Sequence, residues 1–266
     1  MEKQPNTEYV LSLSYGKDSI ACLEAIKLLG YPLDRIIHSE VWATDTIPAD
    51  LPIMTEFKRY ADEVIYQRYG VKVEHIHATT KYGEKLTYEK QFYSVKKRGN
   101  NPNRNYGFPY SIGAWCTSRL KSDILNRYIK DNTKNVVQYL GIASDEPERI
   151  DRHNKPNIIL PLVDINWTED ECRRWCEENN LLSPIYVDST RGGCWFCHNQ
   201  SADQLRLLRK QHPKLWNILL KWDTDSPIPF KSTGRTVHDY DKRFQMEDDG
   251  LIHAGNTKFR WKQIIS

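Results

Sequence analysis

The chain has 266 residues, 39% of them hydrophobic, and 38 Lys and Arg against 35 Asp and Glu leave a net charge of +3. That length allows one large or two modest domains with a substantial core, and so small a net charge singles out no partner class. Residues 1–6 hold no apolar segment of signal-peptide type and no run is apolar enough to cross a bilayer, so a cytoplasmic protein with no membrane partner is expected. In that reducing setting the six cysteines read as thiols, metal ligands or catalytic groups rather than disulfides.

The first element is a β-prone apolar run, Glu8 to Ser14, ending in a glycine-containing turn. Apolar residues at helical spacing then run from Ser19 to Leu29 and stop at Gly30. Strand signals follow at Arg35–Trp42 and Lys72–His77, separated by a helix from about Leu51 to Tyr69. Ser122 to Asp131 reads as helix, and Asn135 to Ile142 as a buried strand. Strands alternating with helices predict an α/β fold whose parallel sheet is covered on both faces. Two capping boxes, Thr168 with Glu171 and Ser201 with Gln204, open later helices. The strand signal fades near Trp167, which divides the chain into a nucleotide-binding type of domain over 1–165 and a smaller, mainly helical region over 166–266. Pro184–Gly193 reads as loop, and the mixed polarity beyond Pro227 assigns no element.

Ser14-Tyr15-Gly16-Lys17-Asp18-Ser19 lies where the first strand hands over to the first helix. Backbone N–H groups and the helix dipole hold anions in that setting. Gly16 permits close backbone approach, Lys17 adds a mobile cation, and Ser14 and Ser19 can donate hydroxyl hydrogen bonds. The string is not a Walker A loop, which is longer and ends Gly-Lys-Ser/Thr. The plain alternative is an ordinary strand-to-helix turn capped by Asp and Ser.

This loop resembles the Ser-Gly-Gly-x-Asp-Ser loop of the PP-loop ATP pyrophosphatases, with Tyr15 in place of the usual first glycine. Within that superfamily the chain resembles the phosphoadenosine phosphosulfate (PAPS) reductase family over about residues 8–200. The matching pieces come in the family's order: the loop, Cys116–Lys121, Leu140–Arg149, Leu160–Leu162, Trp167–Asp170 and Arg191–Cys197. The resemblance implies a doubly wound parallel sheet of the five-stranded type and an adenosine nucleotide, ATP above all, on the Ser14–Ser19 loop. It implies that Ser39 and Val41 sit beside adenine and that Gly141 and Ile142 line the nucleotide's other side. Asp145, Glu146 and Arg149 are expected to face the phosphates, the acids through Mg²⁺. Lys17, Asp18 and Arg149 are the expected catalytic groups. A surface salt-bridge cluster is the bland alternative for the acidic and basic residues of 145–149.

Cys194-Trp195-Phe196-Cys197 is a CxxC that precedes a helix late in the chain, unlike a thioredoxin-type pair, which follows the first strand of a βαβ unit. Zinc usually needs a second ligand pair, and an iron–sulfur cluster needs three or four converging thiolates. The resemblance brings Cys116 toward the CxxC, and Gly193–Cys197 is most similar to the Gly-Cys-Trp-x-Cys run of the DNA phosphorothioation sulfurtransferase branch. Bacterial adenylyl-sulfate reductases hold a [4Fe–4S] cluster with a Cys-Cys pair and a CxxC. Trp115 stands for the first cysteine of that pair, which leaves Cys116, Cys194 and Cys197 as metal ligands. The expectation is a [4Fe–4S] cluster with an open iron or a fourth ligand from His198 or Cys176, and Zn²⁺ is the alternative. Cys22, Cys172 and Cys176 otherwise read as core, and the eight histidines show no metal-binding spacing.

Sulfonucleotide reductases of the family attack sulfur with a cysteine in a C-terminal segment, and no cysteine follows Cys197 here. The resemblance then implies an AMP-forming sulfurtransferase: ATP adenylates a substrate oxygen with loss of pyrophosphate, and a sulfur or nitrogen nucleophile displaces AMP. A sulfur donor or reductant protein would be its partner. A sulfonucleotide reductase using an external thiol and a non-catalytic nucleotide-binding subunit remain as alternatives. Between residues 81 and 121, Lys81, Lys85, Lys90, Lys96, Lys97, Arg98, Arg104, Arg119 and Lys121 interleave with Tyr82, Tyr88, Phe92, Tyr93, Tyr106, Phe108, Tyr110 and Trp115. Cations that draw phosphates among rings that stack bases suggest a nucleic-acid site. The alternative is a solvated loop over packed aromatics.

Overall fold

A computed structural model describes residues 1–97, 102–110, 113–131, 134–188, 192–255, 259 and 261, with Ile129, Val187 and Asp188 described by their backbone alone. Arg98 and Arg191 of the basic and cysteine segments lie outside the described residues. The elements begin with β1 (Thr7–Ser12), α1 (Lys17–Leu28), β2 (Arg35–Glu40), α2 (Pro52–Tyr69) and β3 (Val73–His77). Next come α3 (Tyr88–Tyr93), α4 (Trp115–Thr117), a π-helical turn at Ser118–Ser122, α5 (Asp123–Asp131) and β4 (Asn135–Tyr139). After them lie α6 (Pro147–Arg152), β5 (Ile158–Ile159), α7 (Pro161–Asp164), α8 (Glu169–Glu178) and α9 (Ile185–Asp188). The last three are α10 (Ala202–Gln211), α11 (Pro213–Asp225) and α12 (Val237–Asp248).

The chain forms two compact units. One comprises Met1–Val41, Asp50–Lys85 and Arg119–Gly192, and the other Trp42–Ala49, Leu86–Ser118 and Gly193–Ser266. The first contains a five-stranded, all-parallel sheet in the order β3-β2-β1-β4-β5. The fold is α/β and doubly wound, as the alternation of strands and helices predicts. Side-chain alternation in β1 assigns the two faces. Tyr9 and Leu11, with Leu13 just beyond the strand, join Ile20, Leu23 and Ile26 of α1 and Phe57, Ala61 and Ile65 of α2 in one core. Val10, Ile37 and Val136 face the other way and are covered by Leu125 and Tyr128 of α5. Each fully buried aliphatic side chain contributes about 1.5–3 kcal/mol, so both faces are held by the β1 pattern. Connections leave β1 and β4 toward opposite sides, and in such sheets ligands lodge beyond the carboxyl ends of the strands at that reversal.

Both expected capping boxes are present, at Thr168 with Glu171 and Ser201 with Gln204. The chain forms α12 where mixed polarity assigned nothing, opened by a box of Thr236 with Asp239. Asp at its third position replaces the Glu or Gln of the usual signature. Within Pro184–Gly193, Ile185–Asp188 winds one helical turn instead of the expected loop. The second unit is built on aromatic rings: Trp195 stacks on Trp222 at 5.5 Å, and Phe92 meets Phe108 at 5.5 Å. No helix among the described residues is long and apolar enough to cross a membrane.

Candidate functional site

The Ser14–Ser19 segment sits at the carboxyl end of β1 and the start of α1, in the first unit. Ser19 ties it together: its hydroxyl accepts from Ser14 N–H at 3.1 Å and donates to Gly16 C=O at 3.0 Å. The Lys17 N–H donates to the Tyr186 hydroxyl at 3.3 Å, a neighbour with no local signal in the sequence. Gly141, after β4, presses on the same turn. A Cβ built there would lie 2.6 Å from Asp18 C=O and 2.6 Å from Ser19 Cα, so only glycine lets the two strand ends approach. Ile142 is buried beside it, Val41 is buried at the end of β2, and Ser39 is half-buried on that strand.

Tyr15, standing where the resembled loop has glycine, holds φ at 56°. A bulky residue is strained in that left-handed region, so the fold must over-determine it. The ring is buried, with its hydroxyl donating to Asp62 and 3.2 Å from His75 Nε2. It meets His38 edge-on at 4.8 Å and carries the Lys58 ammonium 5.3 Å from its centroid. Burial first, then Asp62, holds the phenol proton far above its usual range. His38 donates from Nδ1 to Leu13 C=O at 2.8 Å and accepts from Lys58 at 2.8 Å, which fixes a neutral ring. These histidines have no metal spacing in sequence, and their role is to brace the loop from beneath.

Asp18, Glu146 and Glu169 bring one carboxylate oxygen each within 4.8 Å of one another. Two of the three were expected near phosphates, and Glu169 was not. It is the first residue of α8, and the Asp145 carboxylate accepts from Glu169 N–H at 3.0 Å. Lys17 balances the trio, 2.8 Å from Asp18 and 3.4 Å from Glu169. Arg149 donates to Glu146 at 2.7 Å, and Glu146 also accepts from Ala143 N–H at 3.2 Å. Burial works against the Lys17 charge, but Asp18 and Glu169 more than offset it and raise its pKa. For Asp18, burial is the largest influence and raises the pKa, Lys17 opposes it, and Glu169 and Glu146 reinforce it. Hard oxygen donors at this spacing fit a divalent cation such as Mg²⁺.

Cys116, Cys194 and Cys197 all belong to the second unit and are half-buried. The CxxC segment is pinned on several sides. Cys197 N–H donates to Cys194 C=O at 3.0 Å, and the Gln200 side chain donates to the same carbonyl at 3.1 Å. Trp195 donates from its ring to Pro48 C=O at 3.0 Å, and the Lys231 ammonium donates to His198 C=O at 2.6 Å and to Gln200 C=O. Burial lowers the Lys231 pKa to about 8, with Cys197 acting in the opposite sense. The Tyr88 ring lies 4.8 Å from Trp115 and 4.1 Å from Phe196, the neighbours in sequence of these cysteines. The three sulfurs are not gathered, among the described residues, into a set lying wholly within 4.8 Å. The thiol set, with buried polar atoms around it, fits a sulfur-rich group. Cys22, Cys172 and Cys176 are fully buried in the first unit as core residues, Cys176 donating to Lys17 C=O at 3.3 Å.

The basic segment divides between the units at Lys85/Leu86 and at Ser118/Arg119. Of its aromatics, Tyr88, Phe92, Phe108 and Trp115 are buried, whereas Tyr82 is 78% and Tyr110 44% exposed. Lys90 pairs with Asp45 at 2.7 Å, and Lys96 is buried between the Tyr106 and Tyr110 rings.

No family model matches the chain. It is 27% identical over 127 residues to the nin-region protein ORF290 of Escherichia phage lambda, covering 47% of this chain and 42% of that protein. An uncharacterised protein of Methanocaldococcus jannaschii is 23% identical over 232 residues, 80% of this chain and 40% of that one. The chain thus spans well under half the length of these relatives. Among solved structures, the U34-tRNA thiolase NcsA of Methanococcus maripaludis, determined with its [4Fe–4S] cluster, superposes with a TM-score of 0.40 at 13% identity. That superposition covers 99% of this chain and 81% of the thiolase. Both figures are too low for that protein's chemistry to be transferred.

Proposed function

We propose that the chain is a PP-loop enzyme of the PAPS-reductase-like kind, which binds ATP on the Ser14–Ser19 loop and adenylates an acceptor oxygen with release of pyrophosphate, for sulfur transfer. One observation carries the reading. At the carboxyl ends of β1 and β4, a helix N-terminus, Lys17 and Arg149 stand beside the Asp18, Glu146 and Glu169 carboxylates. Cationic groups and N–H donors next to clustered carboxylates suit a polyphosphate and its divalent cation together. The helix dipole and Lys17 would stabilise charge developing on the leaving pyrophosphate. Arg149, oriented by Glu146, would position the phosphates in line for attack. A Mg²⁺ ion held by the three carboxylates would neutralise phosphate charge. Ser39 and Val41 at the β2 end, with Gly141 and Ile142 after β4, are the proposed walls for the adenosine, and Asp145 supports the site by accepting the Glu169 N–H at the start of α8.

In the second unit, Cys116, Cys194 and Cys197 are the proposed ligands of a [4Fe–4S] cluster that would supply or carry sulfur. Soft thiolates select iron–sulfur clusters or zinc. Zn²⁺ is the alternative occupant of the same thiolates. A nucleic-acid acceptor is proposed on the exposed part of the basic segment, where Lys81 lies 4.6 Å from the centroid of the exposed Tyr82 ring.

The test is incubation of the anaerobically purified chain with ATP, Mg²⁺ and candidate RNA or DNA, reading AMP and pyrophosphate. Lys17→Ala is expected to weaken ATP binding at least tenfold. No measurable ATP binding by the wild-type chain at millimolar nucleotide overturns the reading.

A further inference from the structure

Buried polar groups in folded proteins are almost always hydrogen-bonded, because an unpaired one costs about 1–3 kcal/mol. In the second unit, Tyr88 Oη, Trp115 Nε1 and Gln200 Oε1 are buried without a partner. Two of these are donors, and both sit on rings that pack against the cysteine segments. Trp115 directly precedes Cys116. The Tyr88 ring is held between Trp115 at 4.8 Å, Phe196 at 4.1 Å and Trp222 at 5.1 Å. Wedged on these sides and 1% exposed, it cannot swing its hydroxyl into water. The charges acting on that hydroxyl are those of Cys116, Cys194 and Cys197. A phenol is protonated at physiological pH, so this buried hydroxyl has a proton to donate.

Taking the cluster reading above as its basis, we infer that Tyr88 donates a hydrogen bond to a sulfur of the group held by Cys116, Cys194 and Cys197, and so sets that group's reduction potential without being a ligand. Thiolates and inorganic sulfides accept such bonds, and hydrogen bonding to the sulfurs is one of the terms that fix cluster potentials. The bond strengthens as negative charge builds on sulfur, so it favours the reduced state. It would also complete an otherwise costly buried hydroxyl, linking assembly of the group to the packing of the aromatic nest.

The experiment compares the full chain with Tyr88→Phe, both reconstituted anaerobically with ferrous iron and sulfide. Phenylalanine keeps the ring contacts and removes the donor. Iron and acid-labile sulfide per chain are expected to match, while the midpoint potential becomes more negative. The expected size is a tenfold fall in the reduced-to-oxidised ratio at fixed potential, about 59 mV for one electron. Equal potentials in two equally loaded proteins overturn the role of Tyr88 and leave the cluster reading standing. A wild-type chain that takes up neither iron nor sulfide overturns the cluster reading, and this inference with it. Should the variant load poorly, resonance Raman of the wild type in ordinary and heavy water decides: Fe–S stretching bands that do not move on exchange refute the hydrogen bond.

Discussion

Gly141→Ala tests whether the approach of the segment after β4 to the Ser14–Ser19 loop is what shapes the candidate nucleotide site. The added methyl would meet Asp18 C=O and Ser19 Cα at 2.6 Å. Both are backbone atoms of α1, and no side chain can rotate away to make room. Restoring an ordinary contact of 3.4 Å requires the start of α1, or the segment after β4, to move by about 0.8 Å. Overpacking of this kind destabilises by about 1–3 kcal/mol, and misplacing a site by about 1 Å costs about a hundredfold in rate where geometry matters. ATP affinity, measured by titration calorimetry, is therefore expected to fall between about tenfold and a hundredfold, with a lower melting temperature. Gly192→Ala is the control, because its Cβ would meet nothing nearer than the flexible Ile185 side chain at 3.9 Å. Unchanged ATP affinity in a Gly141→Ala protein of normal stability refutes the reasoning.

Replacing Cys116, Cys194 or Cys197 by Ala is expected to remove most of the iron from an anaerobic preparation, and replacing Cys22 or Cys172 to leave it unchanged. Equal iron in both groups of variants rejects the ligand assignment. Tyr15→Phe removes the bonds to Asp62 and His75 that hold a left-handed backbone. A loss of about 1–3 kcal/mol in denaturant unfolding is expected, and wild-type stability in the variant contradicts the anchoring role. His38 supplies a pH dependence: burial, then Lys58, with smaller contributions from His75 and Lys121 against the Leu13 hydrogen bond, holds its pKa well below the ordinary 6.5. The unfolded chain takes up a proton near pH 6.5 that the folded chain refuses. This contribution is therefore complete above that pH and is lost as pH falls below it, by up to about 1.4 kcal/mol per pH unit. Unfolding curves between pH 8 and 5 should show the slope, and an identical slope in His38→Gln rules out this residue as its source.

Local pattern was enough for the α/β class, because short apolar runs buried on both faces of the sheet, β1 and β2, alternate with the helix-spaced apolar residues of α1 and α2. Capping boxes at Thr168 and Ser201 were equally legible, since the whole motif lies within four residues. The Ser14–Ser19 loop was legible as a strand-to-helix turn for the same reason: a strand, a glycine turn and a helix start are consecutive in the chain. Tertiary structure decided what surrounds them. Asp18, Glu146 and Glu169 come from three separated segments, and although Trp167–Asp170 was read as a matching piece, only the fold set the Glu169 carboxylate beside the other two. Tyr15 departs from the resembled glycine, yet keeps a left-handed turn because Asp62 and His75 reach it from α2 and β3. Four of the aromatics read beside the basic residues proved to be core, since composition cannot tell a ring that stacks on a base from one that packs on another ring. Tyr88 looked like one more aromatic among cations, and only the fold placed its hydroxyl under the influence of three distant cysteines. Sequence periodicity reports the environment within a turn or a strand, whereas a site assembled across long loops depends on contacts that leave no local trace.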